Sequence, residues 1–150
     1  MNVKKKDKLF FIDKYYKPVL PFNFTKYLLK FANCSIDVSD GLIDDLTKMI
    51  NKQSLSFHLF ENKIPVSNKL SNFIKKQRLN KINLVSNGDD YQVLFTAHIK
   101  KARIIQNVSK ATGIKITKIG KIVSGKSRSL IFNEKGKQIR AKYKGYIHRF

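Results

Sequence analysis

Ten carboxylates are spread over 150 residues, yet Asp37, Asp40, Asp44 and Asp45 fall within nine consecutive positions, and Asp89 and Asp90 are adjacent. Like charges this close repel one another unless something positive lies among them. Two partners could do that: a hard divalent cation such as Mg²⁺ or Ca²⁺, or lysines brought in by the fold. The segment Asp37-Val38-Ser39-Asp40-Gly41 is the most specific arrangement. A strand ends there and a helix begins, so the turn between them can offer Asp37 and Asp40 oxygens to a cation. Ser39 and the N–H groups at the helix start can meet a phosphate. Ordinary helix capping competes: Ser39 or Asp40 as N-cap, with Asp44 and Asp45 near the positive end of the helix. Capping needs one acid and leaves Asp37 unexplained, so both readings stand.

Other motifs carry less. Asn87-Gly88-Asp89-Asp90-Tyr91 reads as a turn with acids facing water. Gly120-Lys121-Ile122-Val123-Ser124-Gly125-Lys126-Ser127 fits the expression of a phosphate-binding loop. Its wrapping positions, however, include the stiff Ile122 and Val123. The adjoining Ser127-Arg128-Ser129-Leu130-Ile131-Phe132 alternates like a strand instead of opening a helix, so strand and turn are expected over residues 120–127. His58, His98 and His148 form no helical pair, which argues against zinc. The single Cys34 excludes a disulfide framework and reads as a core residue of an apolar strand.

The elements that must position these residues are set by periodicity and turn chemistry. Residues 1–21, basic and aromatic and closed by Pro18 and Pro21, read as an extended lead-in segment, and residues 22–150 as one α+β domain. A short helix is expected over Phe22–Asn33, a buried strand over Cys34–Val38 and a helix over Leu42–Ile50. Alternating Leu55, Phe57 and Leu59 indicate a strand. A helix with Leu70, Phe73 and Ile74 inward runs to about Leu79. Tyr91–Ala97 is a strand after the Asn87-Gly88 turn, and Ile99–Thr112 a helix stopped by Gly113. Strands come next at Ile114–Val123, Leu130–Phe132 and Gln138–Tyr143. The order β-α-β-α-β-α-β-β-β gives a mixed β-sheet with helices packed on it.

Composition narrows the class. A 42% hydrophobic fraction excludes a disordered chain. No apolar run approaches the roughly 18 residues of a membrane span, and the four apolar residues Leu9–Ile12 are too few for a secretory signal core of about 7–15. The chain reads as soluble and cytoplasmic. Its net charge of +21 raises nucleic acid as a partner. The basic residues are dispersed lysines, however, and arginine, the better reader of phosphates and bases, is scarce. A solvated lysine-rich surface is the plainer account.

Taken together the motifs resemble a known family. The stretch from Cys34 to Leu46, with Asp37-Val-Ser-Asp-Gly-Leu42 at its centre, resembles the Asp-x-Ser-Asp-Gly-Leu segment of the thiamine-monophosphate kinases. Gly88-Asp-Asp-Tyr-Gln-Val-Leu-Phe-Thr-Ala97 resembles their Gly-Gly-Glu-Asp-Tyr-Glu-Leu-Leu-Phe-Thr segment. Ile116-Thr-Lys-Ile-Gly-Lys-Ile122, the terminal Gly145-Tyr146-x-His148 and the lead-in Tyr16-Lys17-Pro18 agree in order and spacing. The resemblance runs from about residue 10 to the end and covers only the C-terminal half of that enzyme, a domain of the aminoimidazole ribonucleotide synthase C-terminal-like superfamily.

It implies ATP-dependent phosphorylation of thiamine monophosphate to thiamine diphosphate. Asp37 and Asp40 would bind Mg²⁺, Ser39 would contact ATP, Asp89 would contact thiamine monophosphate, and Phe150, or less plausibly Tyr146, would pack on the thiamine rings. No catalytic side chain is implied. The family's N-terminal domain, which supplies most of the Mg²⁺-binding aspartates and much of the ATP site, has no match here. The chain is therefore expected to be inactive without such a domain as partner. Two departures stand out: Asp89 replaces a glutamate, and the ending Gly145-Tyr146-Ile147-His148-Arg149-Phe150 loses an acid and gains a residue. The rival expectations are another member of the superfamily, a non-catalytic partner-binding domain, or a basic nucleic-acid-binding protein.

Overall fold

The computed structural model describes residues 4–50, 53–125, 128–142 and 145. The lead-in is not extended: Lys5–Tyr16 form a helix, α1. Pro18 and Pro21 end this helix without preventing it, because Lys5–Tyr16 contain no proline or glycine. α1 buries no residue. It is held through Phe11, 5.9 Å from the Phe73 ring, and through Lys69, which lies 3.7 Å from Asp7 and stacks over Phe10.

The short α2 (Phe22–Thr25) and a 3₁₀ turn at Leu28–Lys30 stand where one helix was expected, and β1 (Ala32–Asp37) comes after them. α3 (Leu42–Met49) is placed directly after the acidic turn and buries Leu42, Ile43, Asp45 and Leu46. β2 (Leu55–Phe60) leads to α4 (Asn68–Gln77), whose N-cap Ser67 accepts the Leu70 N–H. The four-residue α5 (Lys81–Leu84) has no periodic signal in the sequence, yet it carries the fully buried Ile82. Asn80 caps it, accepting the Ile82 and Asn83 N–H groups.

β3 (Val93–Ala97), α6 (Ala102–Thr112), β4 (Gly120–Ser124), β5 (Leu130–Phe132) and β6 (Gln138–Ile139) complete the chain. Gly113 takes the left-handed conformation that ends α6. The α+β class holds, but the pairing divides over two sheets. β1 and β3 form an antiparallel ribbon, and β4-β2-β5-β6 form a mixed sheet in which β2 and β5 run parallel.

Two local differences have clear causes. Residues 114–119 lie outside the strand expected at Ile114–Val123. Ile114 and Ile116 pack with the core of Phe24, Phe31 and Val108, whereas Ile119 and Ile122 pack with the larger core around α3, α5 and β2. A segment that crosses between two cores cannot keep pairing with one strand. Cys34 is exposed instead of buried, its Sγ 3.1 Å from Thr96 Oγ1. A register shift between Ala32 and Cys34 interrupts the alternation that would have turned it inward.

In the segment that mimics a phosphate-binding loop, Gly120–Ser124 is strand β4 and pairs antiparallel with β2, as expected; Lys126 and Ser127 lie outside the described residues. Among the described residues no helix is long and apolar enough to cross a membrane.

Candidate functional site

The turn between β1 and α3 is built around one buried carboxylate. Asp45, on the first turns of α3, reaches back so that its Oδ2 accepts the N–H groups of Ser39, Asp40 and Gly41, each at 3.0 Å. Its side chain is 2% exposed. This is one half of a capping box: an acid inside the helix satisfies donors that precede it, while the N-cap is Gly41, not the expected Ser39 or Asp40, and offers no side chain in return. The arrangement corrects one expectation. The N–H groups of residues 39–41 do not await a phosphate; Asp45 already fills their concavity.

The same helix supplies the positive charge that the clustered acids require. Asp40, Asp44 and Asp45 each bring a carboxylate oxygen to within 4.8 Å of the others. Lys48, one turn further along α3, places its ammonium among them: it pairs with Asp40, with Asp44 at 2.7 Å and with Asp45 at 3.5 Å. The i, i+3 and i, i+4 spacings put Asp45, Asp44 and Lys48 on one helix face. Hydrogen bonds to Asp40 first, then to Asp44, raise the Lys48 ammonium well above its ordinary pKa. Sequence reasoning missed Lys48, although its spacing from Asp44 was the available signal. Asp37 does not belong to this group of three. It closes β1 opposite Val93, exposed, and its charge acts on Tyr91.

The second acidic motif lies against the first. The Asp89 N–H donates to the Ser39 carbonyl at 2.8 Å, the Tyr91 N–H to the Val38 carbonyl at 2.8 Å, and the Val38 N–H to the Gln92 carbonyl at 2.9 Å. Gly88, at φ +85°, passes so close that a Cβ there would strike the Ser39 carbonyl. Gly41, at φ +130°, approaches the Ser86 carbonyl in the same way. Asp89 and Tyr91 both adopt positive φ, 59° and 50°, uncommon for residues with a side chain. The Tyr91 hydroxyl donates to Asp89 Oδ1 at 3.2 Å, and this bond, followed by the charge of Asp89, raises the phenol. Asp90 is raised by desolvation and then by the neighbouring Asp89.

A third segment reaches the same place. Gly145 lies against Asp44 and the Asp40 carbonyl, so that a Cβ on it would sit 2.5 Å from the Asp44 Cβ and 2.9 Å from the Asp40 oxygen. Three stretches far apart in sequence, at residues 37–45, 88–91 and 145, thus converge. Phe150, Tyr146 and His148 lie outside the described residues.

The donor set fits a hard cation in kind, since every member is a carboxylate oxygen. Asp45 contributes least to such a role, because one of its oxygens already holds three N–H groups. Asp40 and Asp44 are the more available, with side chains 23% and 32% exposed.

No family model matches the chain. The thiamine-monophosphate kinase of Buchnera aphidicola subsp. Acyrthosiphon pisum is 32% identical over 140 residues, covering 93% of this chain and 42% of the relative. That of Buchnera aphidicola subsp. Schizaphis graminum is 34% identical over 141 residues, again covering 93% of this chain and 42% of the relative. The solved structure of AaThiL complexed with AMPPCP and TMP superposes with a TM-score of 0.72 at 25% identity, covering 98% of this chain and 44% of that one. The chain therefore spans less than half the length of these proteins.

Proposed function

We infer, from the premise that this chain is similar over most of its length to the C-terminal part of the thiamine-monophosphate kinases, that it serves as one half of such a kinase. The observation that carries the reading is the convergence of Ser39–Gly41, Gly88–Tyr91 and Gly145 on one turn, joined by the 2.8 Å hydrogen bond from Asp89 to Ser39. These are the segments by which the sequence resembles the family, and one shared site accounts for all three. The reaction is transfer of the γ-phosphoryl group of ATP onto the phosphate of thiamine monophosphate.

Two polyanions must meet in line, so neutralisation and positioning supply most of the rate. Bound Mg²⁺ supplies the charge that lets the two phosphates approach. Asp40 would hold it, with Asp44 beside it; Asp37, which the resemblance also implies as a ligand, stands outside that group of three and would have to reach the ion from the end of β1. Ser39 would contact ATP through its side chain, because its N–H is held by Asp45. Asp89, exposed on the strained turn, would contact thiamine monophosphate. Phe150 would pack on the thiamine rings. Few carboxylates are offered here, so the remaining metal ligands and most of the nucleotide pocket fall to an N-terminal domain.

Reconstitution tests the reading. The purified chain with ATP, Mg²⁺ and thiamine monophosphate should form no thiamine diphosphate. Adding the N-terminal domain of a related kinase should restore formation, and Asp40→Asn should abolish it. Turnover by the chain alone would show that the second half has been overvalued. Failure of every related N-terminal domain to restore activity would favour a non-catalytic partner-binding domain.

A further inference from the structure

Lys48 is the feature of the acidic turn that the kinase reading does not use. Three carboxylates close to one another call for a cation, and the chain provides its own, one helical turn from Asp44. The members of the cluster differ in their freedom. Asp45 is buried and fixed by three N–H donors, whereas the Lys48 side chain is 45% exposed and sits on a flexible four-carbon stem.

We propose that Lys48 is the resident counter-cation of the turn, holding Asp40 in an ion pair that a divalent cation must displace before Asp40 can ligate it. The inference rests on the proposed role of Asp40 but is read on the chain itself. The ammonium and a divalent ion would compete for the same oxygens, and the ion pairs only with the fraction of molecules in which the lysine has swung away. Apparent affinity falls by that fraction. Displacement remains feasible, because among the described residues one part-exposed ammonium is shared by three carboxylates.

The test is Mn²⁺ binding, followed by electron paramagnetic resonance at fixed ionic strength, on the unmodified 150-residue chain and on Lys48→Gln, Lys48→Arg and Lys48→Gln/Asp40→Asn. Lys48→Gln should bind Mn²⁺ about tenfold tighter or more, since a unit charge within a few ångströms of the ion has been removed. Lys48→Arg, which keeps the charge, should bind as weakly as the unmodified chain. The double variant should lose the gain. Equal affinity with and without Lys48, or a gain that survives Asp40→Asn, overturns the proposal.

Should Lys48→Gln not fold, the unmodified chain gives the answer by nuclear magnetic resonance. Mg²⁺ should shift the Lys48 side-chain signals with the same midpoint as those of Asp40, and an unmoved Lys48 overturns the proposal. Failure of the reconstituted kinase would not alter these binding results, so the two readings fail separately.

Discussion

Asp45 and Asp40 are separated by five positions and do opposite things. Asp45 faces inward, and its charge is used up on three backbone donors and a distant ammonium; Asp40 is part-exposed and pairs with a side chain on a flexible stem. Removing Asp45 would strand N–H groups that include the buried Gly41, and would also delete the contact that starts α3. Asp45→Ala should therefore lower stability by about 2–4 kcal/mol, combining a lost cap with unsatisfied buried donors. Urea denaturation followed by circular dichroism measures this, and a loss within about 0.5 kcal/mol, the range of ordinary surface changes, would contradict the structural role. Here the sequence was half legible. It placed Asp44 and Asp45 at the helix's positive end and left open a divalent cation or lysines from elsewhere in the fold among the acids, but not Lys48 of the same helix. It could not distinguish the inward acid from the outward ones, because that depends on how the turn before the helix curls.

At the scale of elements, the two acidic motifs are joined by backbone, not by side chains. Gly88 is the hinge of that contact. Its φ of +85° and its approach to the Ser39 and Asp40 carbonyls leave no place for a methyl group. Gly88→Ala should destabilise the chain by roughly 1–3 kcal/mol from the strained conformation alone, with the clash adding to it. It should also part Asp89 from Ser39. The amide signals of residues 39 and 89 report this directly in a nitrogen–proton correlation spectrum. A variant whose spectrum changes only beside residue 88 would show that the motifs are not coupled. The Asn87-Gly88 turn was readable from its dipeptide, and the strands at Leu55–Phe60 and Leu130–Phe132 from their alternation. Elements whose identity depends on distant partners were not. α5 is four residues long and held by Asn80 and by Ile82 in the core. α1 forms although its apolar residues bury little, so no periodic stripe announced it.

Across the whole molecule, charge sets the behaviour that no single residue explains. Thirty-one basic residues against ten acidic ones give +21, dispersed along the chain, so the folded state holds many like charges closer together than the unfolded one does. Against this stand local attractions such as the Lys48 cluster, whose side chain is nearly half exposed and whose pairs are correspondingly weak in water. Salt screens both, and the dispersed repulsion is the larger sum. Raising sodium chloride from about 20 mM to about 300 mM, which shortens the screening length from about 20 Å to under 10 Å, should therefore stabilise the chain. The melting temperature should rise by roughly 2–4 °C, the shift that about 1 kcal/mol produces at this size. Chloride salts of sodium and potassium should act alike at equal ionic strength, since screening does not depend on which monovalent cation is present. A melting temperature that falls with salt would mean that the ion pairs of the acidic turn outweigh the excess positive charge, and that Lys48 contributes to folding as well as to the site.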